Sequence, residues 1–320
     1  MPILRQMVER DLPRVNLILS KSFTHARLQS GLQNSRVPLC RIEFLRMYLA
    51  GHPDGAFVIE QDEKIVAYCF SRLWGSVGWI GPLSVIPAEE GKGLGKQVVG
   101  AAVEVLKSGG AQTIGLELAA SSTRNLAFYT KLGFRANKLT VDLLWPVADA
   151  APASSGEGLS ILEFGKRSEA KKSHYMEELR QFSGRFQIGL DYSREIQLVN
   201  DFGFGDARLV LESDRVIGFI LAHTETYSQE ECREYLKVNA LQVAPDLPIT
   251  MLARFLSLLE AWAYSQNLSS IYLRVPTRYY RGFRFLLSMG LVVVNSELRM
   301  TLQDYPQRDD PEMINFNKWE

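Results

Sequence analysis

The stretch with the clearest chemical content runs Leu83-Ser84-Val85-Ile86-Pro87-Ala88-Glu89-Glu90-Gly91-Lys92-Gly93-Leu94-Gly95-Lys96. Three glycines at alternate positions follow an apolar run and open a long segment of helical apolar period. Glycine admits positive φ and lets backbone come close to a ligand. The first N–H groups of the helix have no partner inside it and lie at the positive end of its dipole. Lys92 and Lys96 add charge beside them. These features predict a cradle for an anion of diphosphate size. The spacing does not fit a P-loop: Gly91 to Gly95 is one residue short, and Gln97 rather than Ser or Thr follows the lysine. Nor does it fit the G-x-G-x-x-G turn of dinucleotide-binding folds.

The elements that must position this loop alternate between strand and helix patterns. We expect a strand over 2–7, a helix over 11–22, an irregular polar segment over 22–39 and a helix over 41–49. A hairpin turns at Gln61-Asp62-Glu63 between strands 56–60 and 64–72. A strand over 77–86, broken at Gly81-Pro82, feeds the glycine loop and a helix over 92–107. A strand over 113–118, a helix over 123–132 stopped by Gly133, and a strand over 139–145 complete the first half. Residues 146–158, PVADAAPASSGEG, have the composition of a linker. The second half repeats the plan, with strands over 207–211, 216–222, 235–243 and 270–275 and helices over 249–264 and 277–289. Pro87 and Pro245 lie 158 apart and Gly133 and Gly290 lie 157 apart, which reads as an internal duplication.

On these residues the chain resembles the GCN5-related N-acetyltransferase (GNAT) family. The family loop has the form [Q/R]-x-x-G-x-[G/A], and here Glu90-Gly91-Lys92-Gly93-Leu94-Gly95 carries Glu in the Gln/Arg position, after Val85-Ile86-Pro87. A second family element follows as Asn125-Leu126-Ala127-Phe128-Tyr129-Thr130-Lys131-Leu132-Gly133-Phe134, one residue shorter before the Tyr. The resemblance covers residues 1–146. It implies an α/β mixed-sheet fold of two tandem GNAT-like domains, with acetyl-CoA as co-substrate. Leu83 and Val85, flanking Ser84, would pair through their backbones with the pantetheine arm. Gly91, Lys92, Gly93, Leu94, Gly95 and Lys96 would hold the pyrophosphate through backbone N–H groups. Asn125 would bond the pantetheine region, and Tyr129 would protonate the leaving thiolate.

The residues themselves leave alternatives. Tyr129, beside Phe128, also fits a core position, and Asn125 a helix cap. A base for the amine is expected; Glu117, on the strand 113–118, is one candidate, and His25 another. Arg27 and Arg36 could read an acidic group on the acceptor, and Trp74 and Trp79 could wall the pocket or belong to the core. The second copy lacks the glycines, reading Pro245-Asp246-Leu247-Pro248-Ile249 at its loop, and at the 157 offset Leu286 and Gly282 replace Tyr129 and Asn125. We therefore expect a degenerate partner. The domain reading is a GNAT domain over 1–146, a linker over 147–158, a degenerate GNAT-like domain over 159–303 and a tail over 304–320.

Composition bounds the function class. Of 320 residues 46 % are hydrophobic, enough for two cores, and no uncharged apolar run reaches membrane-spanning length. Thirty-six basic residues balance 36 acidic ones, which argues against a nucleic-acid partner. Residues 1–146 carry the positive excess. Three cysteines fit a reducing cytoplasm, and four histidines without ligand spacing predict no metal. The expected function is transfer of an acetyl group from acetyl-CoA to a primary amine of a small-molecule or peptide acceptor, with a homodimer left open. The alternative is a non-enzymatic acyl-CoA-binding module whose second domain is regulatory or binds a partner.

Overall fold

Alternation along one strand sorts the layers of the first half. On Lys64–Trp74, Ala67 and Cys69 join the apolar layer of the glycine-loop helix, and Tyr68 and Phe70 join a larger core on the other side. The computed structural model describes residues 1–29, 31, 36–148, 158–308 and 310–319. In chain order its first half contains β1 (Ile3–Gln6), α1 (Leu12–Gln29), α2 (Ile42–Gly51), β2 (Phe57–Gln61), β3 (Lys64–Trp74), β4 (Val77–Val85), α3 (Leu94–Ser108), β5 (Thr113–Ala119), α4 (Thr123–Lys131) and β6 (Phe134–Pro146). The second half contains β7 (Leu159–Glu163), α5 (Glu169–Gly184), α6 (Ser193–Asp201), β8 (Gly205–Glu212), β9 (Arg215–His223), β10 (Tyr235–Val243), α7 (Met251–Ser265), β11 (Ser270–Pro276), α8 (Tyr280–Ser288), β12 (Val292–Leu302) and β13 (Ile314–Asn317).

The duplication is visible element by element. α7, β11 and α8 begin and end 157 residues after α3, β5 and α4, and β10 follows β4 by 158. The two copies do not stand side by side as separate sheets. One thirteen-stranded sheet runs β1-β2-β3-β4-β5-β12-β6-β11-β10-β9-β8-β7, with β13 on β10. β12 of the second half lies between β5 and β6, and β6 lies between β12 and β11. The closing strands of the two copies have changed places. Thr140 pairs with Glu297, its own counterpart 157 residues on, so an approximate two-fold passes between them.

This exchange merges the cores. Met300 from β12 is fully buried in the layer beneath α3, with Leu116 and Phe134. The larger core runs from Leu12 in α1 to Trp319, through Trp74, Trp79 and Tyr192. Arg72 of β3 donates to Glu195 of α6 at 2.8 Å, both buried, and Trp74 Nε1 donates to the same carboxylate at 3.2 Å.

Two expectations are corrected and two helices are added. The segment 22–39 is not irregular throughout: α1 runs on to Gln29, where Thr24 hydroxyl accepts from Val37 N–H at 2.9 Å, beside the bond from Ser20 hydroxyl to Val37 carbonyl at 2.6 Å. Of the linker, 149–157 lie outside the described residues. α5 and α6 were not expected; Tyr175, Leu179 and Phe182 give α5 its buried stripe. The segment expected as a polar tail forms β13, and Phe316 and Trp319 are buried.

Candidate functional site

The glycine loop opens onto a gap in the sheet. β4 and β5 pair in parallel only at Val77–Trp79 with Thr113–Gly115, and then part. A bulge in the β3–β4 ladder, with Gly81 at φ 137°, turns the outer end of β4 away. Ile86 N–H donates to Val66 carbonyl at 2.9 Å, and Ser84 lies opposite Tyr68. By antiparallel alternation Ser84 and Ile86 bond β3, while Leu83 and Val85 turn their N–H and C=O groups into the gap. Val85 carbonyl is met there by Ser22 hydroxyl at 3.5 Å.

At the end of the gap Gly91 and Gly93 both have positive φ, 79° and 83°. A Cβ at either would meet no atom within 4 Å, so these two serve the turn and leave open space over it. Gly95 serves packing: its Cβ would lie 3.2 Å from the Phe128 ring of α4. Gly93 is the N-terminal cap of α3, which Leu94 anchors in the core, and no side chain caps the helix. Its first N–H groups therefore face outward. Lys96 is exposed; Lys92 is exposed and pairs with Glu89 at 2.9 Å. Glu90, the departure from the family loop, accepts from Arg124 of α4 at 2.6 Å. A cation thus stands beside the loop on α4, and no spacing within the loop discloses it.

Tyr129 and Asn125 lie on the same short helix. Tyr129 is buried edge-on to Phe128 and Phe134, at 4.9 and 5.9 Å between ring centroids. Burial pushes its phenol pKa up, so the group is protonated at neutral pH. Its hydroxyl has no hydrogen-bond partner among the described residues. Asn125 is exposed in the first turn of α4.

Glu117 is a different case, and its candidacy as base is corrected. Alternation puts it on the face of β5 opposite Leu116 and Leu118, away from Tyr129. Its carboxylate is almost fully buried and held by Arg299 at 2.8 Å and Arg274 at 3.0 Å. Thr140 hydroxyl also donates to it, at 3.1 Å. Trp74 and Trp79 pack with Trp319 in the core. His25 is half-buried on α1. Arg36 is engaged by Glu230 of the second half. Arg41 N–H donates to Tyr227 carbonyl at 2.7 Å, and Phe44 stacks on Tyr227 at 4.2 Å. The second half therefore supports the segment beside α1, a role that the sequence did not reveal.

Among the described residues no group of three His, Cys, Asp or Glu side chains gathers as metal ligands, and no helix is long and apolar enough to cross a membrane. Residues 17–134 match the family model of the acetyltransferase (GNAT) family. No curated protein sequence matches the chain. Among solved structures, a GCN5-related N-acetyltransferase from Sphaerobacter thermophilus superposes with a TM-score of 0.61 at 17 % identity, covering 97 % of this chain and 98 % of its own. An acetyltransferase-like protein of Pyrococcus horikoshii gives 0.61 at 16 %, with 98 % and 96 % covered. A tandem GNAT protein of the clavulanic acid biosynthesis pathway gives 0.59 at 12 %, with 96 % and 100 % covered. The glycine loop, the parted strands and these likenesses agree: residues 17–134 match the acetyltransferase (GNAT) family, and the chain as a whole has a tandem GNAT-like fold.

Proposed function

We propose that the first half transfers an acetyl group from acetyl-CoA to a primary amine of a small-molecule or peptide acceptor, by direct attack. The observation that supports this most is the gap between β4 and β5, lined by the backbone of Leu83 and Val85 that faces away from β3 and ending on Gly91 and Gly93. The co-substrate supplies the reactive thioester. Leu83 and Val85 would hold its arm as an added strand. The N–H groups from Gly91 to Lys96 would take the pyrophosphate, with Lys96 adding charge. Asn125 would bond the arm from α4. Tyr129 keeps its proton at neutral pH and would give it to the departing sulfur. The three free cysteines, Cys40, Cys69 and Cys232, suit a reducing compartment such as the cytoplasm.

A second reading is favoured by one observation: the only acid on β5, Glu117, is locked in ion pairs and offers no base. On that reading the first half binds acyl-CoA without turnover and the second half reports the binding. Two measurements decide. Calorimetric titration with acetyl-CoA should give one site per chain; absence of binding removes both readings. Thiol release in the presence of an amine panel should then exceed the rate without amine. Binding with no such release would leave the binding module.

A further inference from the structure

The second half fills the gap that the first half leaves open. β10 and β11 pair at Tyr235–Val238 with Ser270–Leu273 and then part, as β4 and β5 do. The bulge falls at Asn239, the counterpart of Gly81. Ala244 N–H donates to Ile217 carbonyl at 2.9 Å, as Ile86 N–H does to Val66. Leu241 and Val243 therefore turn their backbone into the gap, as Leu83 and Val85 do. There they meet β13. The register pairs Ala240 with Asn317, Leu241 with Phe316, Gln242 with Asn315 and Val243 with Ile314. Lys318 N–H adds a bond to Asn239 carbonyl at 2.8 Å.

Side chains fix the strand in place. Phe316 is fully buried, 6.1 Å from the Tyr279 ring. A Cβ on Gly282 would fall 2.7 Å from it. Gly282 is the counterpart of Asn125, so the side chain expected to hold pantetheine in the first half is deleted in the second, where the phenyl ring sits. Asn315 accepts from Gln242 at 3.0 Å, and Asn317 from Arg299 at 2.7 Å. Trp319 stacks on Tyr192 at 5.6 Å and 6°. At the loop, Asp246 stands between Arg185 at 3.1 Å and Arg215 at 2.6 Å. A carboxylate of the chain itself engages those cations, and no glycine loop remains for a diphosphate.

We infer that the second half is a strand-binding module whose ligand is the chain's own segment 314–319, seated in the slot equivalent to the first half's pantetheine slot. Only that last phrase rests on the proposed function; the pairing of β10 with β13 stands without it. The ligand is an extended peptide read by backbone pairing and by one phenylalanine pocket over α8.

The test uses the full chain with a protease site inserted after Arg308, cut only after folding. The cut protein is challenged with excess fluorescent peptide of sequence 311–320, through a cycle of urea unfolding and refolding. One labelled peptide per chain should be taken up, and a Phe316→Asp peptide should compete at least a hundredfold less well. No uptake, or equal competition by the substituted peptide, would overturn the inference. No acyl-CoA is present, so this result is independent of the cofactor reading. A second measurement keeps the chain intact: hydrogen exchange of Phe316→Asp. The amides of Leu241 and Val243 should lose at least tenfold of their protection while those of β3 keep theirs. Unchanged protection at Leu241 and Val243 would also overturn it.

Discussion

Arg274 and Glu117 occupy the same position in the two halves, 157 residues apart, and hold each other at 3.0 Å in the middle of the sheet. Asp142 and Arg299 are a second equivalent pair of opposite sign. Arg274 reaches Asp142 at 2.7 Å and Arg299 reaches Glu117 at 2.8 Å. Burial pushes the Asp142 carboxyl up, and the Arg274 guanidinium more than reverses it, to about 2. Both acids come from one copy and both bases from the other. Two identical copies meeting at this two-fold would place like charges together, so the cluster selects the first half against the second.

Glu117→Gln should therefore act on stability. It leaves Arg274 and Arg299 under-compensated in a buried site, a loss of about 3 kcal/mol by denaturant titration. The pH profile of thiol release by the folded fraction should not move. Unchanged stability with lost turnover would restore Glu117 as the base.

Gly93→Asp should cost at least a hundredfold in acetyl-CoA affinity, by repelling the pyrophosphate. Asp tolerates left-handed backbone at about 1 kcal/mol, so folding should survive. Gly93→Asn carries the same strain without the charge and should lose far less. Calorimetry on the pair separates charge from shape; equal affinities in Asp and wild type would remove the cradle.

Tyr129→Phe should lower turnover about a hundredfold, the lower range for a positioned general acid, while acetyl-CoA affinity stays within about twofold. The phenyl ring keeps the packing on Phe128 and Phe134. Wild-type turnover in the variant would reduce Tyr129 to a core residue.

His223 should make the fold acid-sensitive. It is buried, its Nδ1 is 3.0 Å from Tyr227 hydroxyl and its Nε2 is 3.1 Å from the Asn239 amide. Burial, with Lys318 and Lys237 nearby, depresses its pKa to about 3. A depressed pKa contributes stability that is full above the unfolded value near 6.5 and is lost as pH falls toward 3. Between pH 7 and 5 the loss should be about 2 kcal/mol. In His223→Gln this slope should flatten, whatever the variant's absolute stability; an unaltered slope would assign the acid sensitivity elsewhere.

The glycine loop, the order of elements around it and the duplication were legible in the sequence, because each is local: turn residues, apolar period and a constant offset. The exchange of β6 and β12 was not. Both strands carry the same pattern, and nothing in either one says which copy's neighbour it joins. Glu117 shows the same limit. Its place between Leu116 and Leu118 left a cleft-facing base and a solvent-facing acid both open, because the arginines that hold it come from more than 150 residues away. β13 is the opposite case. Ile314 and Phe316 alternate as a strand should, but Asn315 and Asn317 read as exposed, and only their bonds to Gln242 and Arg299 explain their burial.

The crossed strands also impose an order on synthesis. When residue 146 leaves the ribosome, β5 has an open edge, and the layer under α3 lacks Met300. The strand that closes that edge is made more than 140 residues later. During that interval the nascent first half presents unpaired backbone beside the strand that will carry its own site, a template for pairing with a neighbouring chain. Its glycine-rich loop is translated early, but the sheet that frames it is complete only when nearly the whole chain has been made.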